Sequence, residues 1–265
     1  MAERITSLHN PRVRDAVKLR SGRGRTRQGR ILIDGWREVQ RALQADVEVS
    51  EVFACPGPDD EPGEQTLAAW EAAGVPVLRV SASVFARLAY GDREQGVVAV
   101  ARAPQPALSG LALPRDALVI VLEGVEKPGN VGAIVRTADA VGASAVIVAG
   151  GATDLYNPNA IRASLGTVFA VPVCAAGSVE TAAWLRQRRF QIVAARVDAA
   201  LRYTRVSYRL PTAIALGSEA DGLSDVWRGP DVTAVSLPMK GVADSLNVAT
   251  TAAVLLYEAL RQRAG

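Results

Sequence analysis

Asn130, Arg136, Glu219, Ser245 and Asn247 occur in three segments of the same design. Each segment breaks a hydrophobic run at Gly or Pro and then opens a helix-like pattern. The segments are EGVEKPGNVGAIVRTA over residues 123–138, LGSEADGLS over 216–224 and LPMKGVADSLNVATTAAVLLYE over 237–258. Open α/β sheets hold ligands where strands give way to helices, so these five side chains are candidates for a site. They offer an amide pair, a guanidinium, a carboxylate and a hydroxyl, with no histidine nearby. That set suits orientation and charge stabilisation better than imidazole acid–base work.

Several other chemistries are excluded by what the chain lacks. GVEKPGN does not end in the Lys-Ser/Thr of a phosphate-binding P-loop, and no GxGxxG is present, which disfavours ATP hydrolysis and a dinucleotide fold. The single histidine, His9, lies in a turn-like SLHNPR and is expected on the surface. Cys55 and Cys174 are too far apart in sequence for CxxC spacing, so two reduced thiols and no metal site are expected. The start, MAERITSLHNPR, has no apolar signal region, and no apolar run reaches the roughly 18 residues of a membrane span. A cytoplasmic protein is the expectation.

Stepping strands and helices position these segments. With 265 residues, 49% of them apolar and 5% aromatic, the chain has material for one large or two ordinary domains. Residues 1–102 alternate strand-like runs (30–34, 49–54, 75–80, 96–101) with amphipathic stretches (36–45, 64–73, 83–88), implying a smaller N-terminal α/β domain. Residues 103–116, APQPALSGLALPRD, read as a linker. A second α/β domain follows over 117–265, with strands expected at 117–122, 145–149, 169–173, 191–195, 212–216 and 233–237. Alternation with helices predicts a mostly parallel sheet covered on both faces. In the third segment Asp244 or Ser245 is the expected helix cap, with an apolar stripe of Leu246, Ala249, Ala253, Leu256 and Leu260. Asn130 is expected at or near the cap of the helix that carries Arg136.

The net charge is only +3, but between Pro11 and Arg30 eight basic residues face one acid. SGRGRTRQGR, carrying Arg23, Arg25, Arg27 and Arg30, lacks apolar periodicity and reads as a mobile basic loop suited to a phosphate backbone. No aromatic residues interleave it, so base stacking is not indicated there.

Together the three segments resemble the signature motifs of the SpoU (TrmH-like) family of RNA 2'-O-ribose methyltransferases. The N-terminal NPRV, IDG and QGVVAV are similar to the substrate-binding domain of its ribosomal-RNA members. The resemblance implies a trefoil knot in the C-terminal domain and S-adenosylmethionine as cofactor, with Leu216, Gly217, Leu237, Met239, Ser245 and Leu246 holding it. It also implies a homodimer using the helix after Ser245, and large-subunit ribosomal RNA as substrate. Arg162, in a RAS-G stretch like that of family members, becomes a phosphate candidate. Relatives often carry Asn at the position of Ser218 and Ser at that of Ala249, departures that keep both sites small. In the family the residue matching Arg136 is often assigned as the base. A guanidinium stays protonated, so the role expected here is to bind the adjacent phosphate and stabilise alkoxide charge, oriented by Asn130 and Glu219. The alternatives are a thiostrepton-resistance type of ribosomal RNA methyltransferase and a non-catalytic RNA-binding or ribosome assembly factor.

Overall fold

The computed structural model describes residues 4–90, 95–150 and 154–264, which form two compact units. The first takes residues 1–104 together with 156–170, and the second takes 105–155 and 171–265.

The first unit runs α1 (Pro11–Lys18), α2 (Gly22–Gln28), β1 (Arg30–Asp34), α3 (Trp36–Gln44), β2 (Val49–Cys55), α4 (Glu61–Ala72), β3 (Val77–Arg79), α5 (Ala82–Leu88) and β4 (Gly96–Arg102). Its sheet has the order β1-β4-β2-β3, antiparallel except for the β2–β3 pair. Val13, Ala16, Leu19, Phe53, Phe85, Leu88 and Val98 meet in a core between α1, α5 and the strands.

The basic stretch is not a loop. Asn10 accepts from the Arg12 amide at the start of α1, where Pro11 takes the first helical position and needs no N–H partner. Ser21 caps α2 through the Gly24 amide. A Cβ on Gly24 would lie 1.9 Å from the Lys18 carbonyl oxygen, so this glycine permits the close approach of α2 to the end of α1. Of the glycines that suggested mobility, Gly24 serves packing and Gly29 takes the left-handed φ of +61° that ends α2.

The second unit begins with β5 (Leu118–Glu123), α6 (Pro128–Ala140) and β6 (Ala145–Ala149). The chain then makes α7 (Pro158–Ala163), which lies in the first unit against β1. There the Arg41 guanidinium of α3 donates to the Leu165 carbonyl at 2.6 Å. The second unit resumes with β7 (Val173–Ala176), α8 (Ser178–Gln187), β8 (Gln191–Ala195), β9 (Thr212–Leu216), β10 (Val232–Val235) and α9 (Val248–Arg263). The strand expected at 169–173 is instead a 3-10 turn, Thr167–Phe169, with β7 starting only after Pro172, which has no N–H for a ladder.

All six strands are parallel, in the order β10-β8-β9-β5-β6-β7. The apolar runs of β5, β6 and β9 are buried on both faces, whereas β7 and β10 at the edges are partly exposed. Val119, Val121, Ile147 and Ala215 pack with Trp184 and Leu185 of α8 on one side. The alternate set, including Ile120, Val148 and Ile214, is equally buried on the side of α6 and α9. α9 follows β10 in the chain yet packs on α6 and β9. The third segment therefore returns to the middle of the sheet.

Candidate active site

The three segments converge on Glu219, which follows the carboxyl end of β9. Its carboxylate accepts from Lys127 Nζ at 2.8 Å, from Asn130 Nδ2 at 3.2 Å and from Asn247 Nδ2 at 2.8 Å. Asn247 Nδ2 also reaches Asn130 Oδ1 at 3.3 Å. The α6 start, the loop after β9 and the α9 start are thus tied by one carboxylate. The Lys127 ammonium holds the Glu219 carboxyl below the usual carboxylate range, against the opposing effect of desolvation. Glu219 in turn raises the Lys127 pKa.

Two caps differ from the expected ones. Lys127 occupies the N-cap of α6 and Pro128 its first position, which puts Asn130 inside the first turn with its side chain available to Glu219. Asn247, rather than Asp244 or Ser245, caps α9, its carbonyl oxygen accepting from the Ala249 amide at 2.9 Å. The buried stripe shifts accordingly to Val248, Ala252, Leu255, Leu256 and Ala259, and Leu246 stands outside the helix, 37% exposed.

Off the carboxyl ends of β8, β9 and β10 lies a cavity of about 740 Å³. It is lined by Leu216, Gly217, Leu237, Met239, Ser245 and Leu246, all six of the expected cofactor residues. Glu219 also lines it. Gly217 is required by close approach, since a Cβ there would come within 2.1 Å of the Gly222 carbonyl carbon. The Ser218 and Gly222 backbones pair in both directions at 3.2 and 3.1 Å, closing this tight loop. Behind it, both Glu123 oxygens hold Ser224, from the amide at 2.6 Å and from the hydroxyl at 2.9 Å. Burial pushes the Glu123 carboxyl up, but hydrogen bonds from Ser178 and Ser224 outweigh it and keep the pKa low.

Sequence reading missed three contributors. The signal that could have found Lys127 is a cation three positions before Asn130, where it faces the same carboxylate. Arg196 and Asp198, just beyond β8, also line the cavity, joined by two hydrogen bonds of 2.9 and 2.7 Å. Their only signal was position at the end of a strand neighbouring β9.

Arg136 is brought onto the same helix as Asn130 but not into its network. It is exposed, and no hydrogen bond or ion pair engages its side chain among the described residues. Glu219 and Asn130 bond each other, Lys127 and Asn247, so they do not orient Arg136 as expected. The phosphate candidates also divide. Arg23 and Arg27 are exposed on α2, and Arg30 is half-buried and donates to Gln28. Arg25 is buried, with Nη1 donating to the Leu19 carbonyl at 2.7 Å, and so holds the fold instead of facing a ligand. Arg162 is exposed and donates to the Tyr90 carbonyl at 2.8 Å.

His9 is exposed as expected, and Cys55 and Cys174 are free buried thiols. Among the described residues no helix is long and apolar enough to cross a membrane.

The pattern of the SpoU rRNA methylase family matches residues 117–257, the stretch that carries this whole site. The chain belongs to the SpoU rRNA methylase family. Ahead of its methylase part, residues 10–99 match the MRM3-like substrate-binding domain. This SpoU chain is 32% identical to a 23S rRNA (uridine(2479)-2'-O)-methyltransferase of Streptomyces viridochromogenes, over 99% of this chain and 93% of that protein. It is 43% identical to a crystal structure of an RNA 2'-O ribose methyltransferase, with a TM-score of 0.87, covering 99% and 100% of the two chains. An AdoMet-bound rRNA methyltransferase from Sinorhizobium meliloti superposes on the SpoU chain with a TM-score of 0.88 at 30% identity, covering 98% of each chain.

Proposed function

We propose that this protein transfers a methyl group from S-adenosylmethionine to a ribose 2'-hydroxyl of large-subunit ribosomal RNA. The observation that carries the reading is the convergence of the three segments on Glu219 beside the 740 Å³ cavity. The cavity's lining fits the cofactor: Leu216, Leu237, Met239 and Leu246 supply apolar contact, and the close Gly217–Gly222 backbone supplies fixed peptide groups. S-adenosylmethionine supplies a methyl group already activated on a sulfonium, so placement of the hydroxyl provides much of the rate.

Glu219 is a positioning residue in this scheme. Its oxygens are engaged by three donors and its basicity is lowered, so it holds the loops in register and takes no proton. Arg136 keeps its planar fork open for the phosphate beside the target ribose and for charge developing on the 2'-oxygen. The hydroxyl proton leaves to water or a neighbouring acceptor. Arg23 and Arg27 contact RNA phosphates, and Arg162 is a further candidate. The proposal also includes the trefoil threading of the 216–222 and 237–246 loops, a cytoplasmic location, and a homodimer using the outer side of α9, where Tyr257 is 52% exposed.

The test is methyl transfer from labelled S-adenosylmethionine to separated ribosomal and transfer RNA, scored by resistance of the product to alkaline cleavage. Alkali-resistant label in large ribosomal RNA, lost in Arg136→Ala, is the expected result. Near-normal turnover in Arg136→Lys would refute the fork, and no label in any fraction would favour an RNA-binding factor without turnover.

A further inference from the structure

The fold supplies the aromatic group that the basic stretch lacks in sequence. Tyr90 follows α5, and its backbone is pinned on both sides by distant residues. Its amide donates to Asp34 Oδ2 at 2.6 Å, and its carbonyl accepts from Arg162 Nη1 at 2.8 Å. The ring is half-buried, and the Arg20 guanidinium lies over it at 5.0 Å from the centroid. Arg20 is itself held by the Arg87 carbonyl at 3.3 Å. It sits between α1 and α2, so the ring adjoins the most basic run of the chain. All of these residues belong to the first unit.

We infer that Tyr90 is a stacking platform for an unpaired base of single-stranded RNA, with Arg20 binding the phosphate next to that base. The inference rests on the reading of the chain as an RNA-acting protein and adds a base-binding site to it. A tyrosine ring stacks on any base, because every base has a π-face, and a neighbouring guanidinium adds cation–π and phosphate attraction. The two backbone bonds hold the peptide that carries the ring and the Arg20 contact restrains the ring itself, which lowers the ordering cost of binding. Arg162 becomes a positioning residue that acts through the Tyr90 carbonyl.

The test uses the full chain and two single-stranded probes of about a dozen nucleotides, within the site sizes of such binders. One is oligouridylate and the other a ribose-phosphate chain of equal length without bases. The wild type is expected to bind the base-bearing strand about 5- to 150-fold more tightly, the range for one stacked base. Tyr90→Phe keeps that preference, whereas Tyr90→Leu, apolar but without a ring, abolishes it while leaving binding of the abasic strand unchanged. A wild type without preference, a Tyr90→Leu variant that keeps it, or equal losses on both strands would overturn the inference. Methyl transfer is scored separately, so a protein that stacks bases without methylating RNA refutes the catalytic reading alone.

Discussion

Asn247 binds in two directions at once: its carbonyl oxygen caps α9 at the Ala249 amide, and its amide nitrogen donates to Glu219. The start of the C-terminal helix and the loop after β9 are therefore locked by one side chain. Substitutions can separate its two duties. Asn247→Asp keeps a good cap but sets a second carboxylate against Glu219. It is expected to lower methyl transfer about 10- to 100-fold, the scale of an ångström-sized misplacement. Asn247→Ala loses both bonds and about 1 kcal/mol of stability in addition. Thermal unfolding and turnover, measured on both variants, check the separation. Equal activity of Asn247→Asp and wild type would refute it.

The Lys127–Glu219 pair predicts a pH effect. The folded pKa of Glu219 is depressed, so the network is complete above the ordinary carboxylate value of about 4.3 and is lost as pH falls through the lower folded value. Lys127→Ala removes the largest cause of the depression. The midpoint should move up toward the ordinary value, and cofactor binding should fail at higher pH than in wild type. Carbon NMR of the Glu219 carboxyl reads the midpoint directly, and identical midpoints in the two proteins would count against the pairing.

Gly217→Ala should disable the cavity without unfolding the unit. The added Cβ meets the backbone of Gly222 and Leu223, which cannot rotate away as a side chain can. Loss of S-adenosylmethionine binding in titration calorimetry, with strand content unchanged in circular dichroism, is the expected pair of results.

The arginines of α2 should respond in opposite ways. Arg25→Ala removes a buried charged donor from the Leu19 carbonyl and should cost about 2 kcal/mol of stability. Arg23→Ala and Arg27→Ala should leave stability within about 0.5 kcal/mol and weaken RNA binding. Each should reduce the salt slope of the binding constant by about 0.7, as for one lost single-strand phosphate contact. Denaturant melts and salt titrations of RNA binding distinguish the two classes.

The strands of the second unit were legible because parallel strands buried on both faces read as plain apolar runs, as in Leu118–Glu123 and Ala145–Ala149. The six cavity residues were legible through the family motifs. What sequence did not disclose was choice among neighbours. Asp244, Ser245 and Asn247 are all capable caps, and only the bond to Glu219 selects Asn247. Gly24 looked like a mark of flexibility because its contact, the Lys18 carbonyl, is made only once two helices pack. Arg25 looked like its neighbours, since burial of one arginine among several follows from helix direction and not from residue type. Tyr90 and Arg20 are seventy positions apart, and nothing local announces their meeting.

Residues 156–170 complete the first unit although they follow two strands of the second. During synthesis, then, the amino-terminal unit receives its last segment only after β5 and β6 have also left the ribosome. The two units are interleaved along the chain, although most of each, residues 10–99 and 117–257, matches a known domain as one uninterrupted stretch.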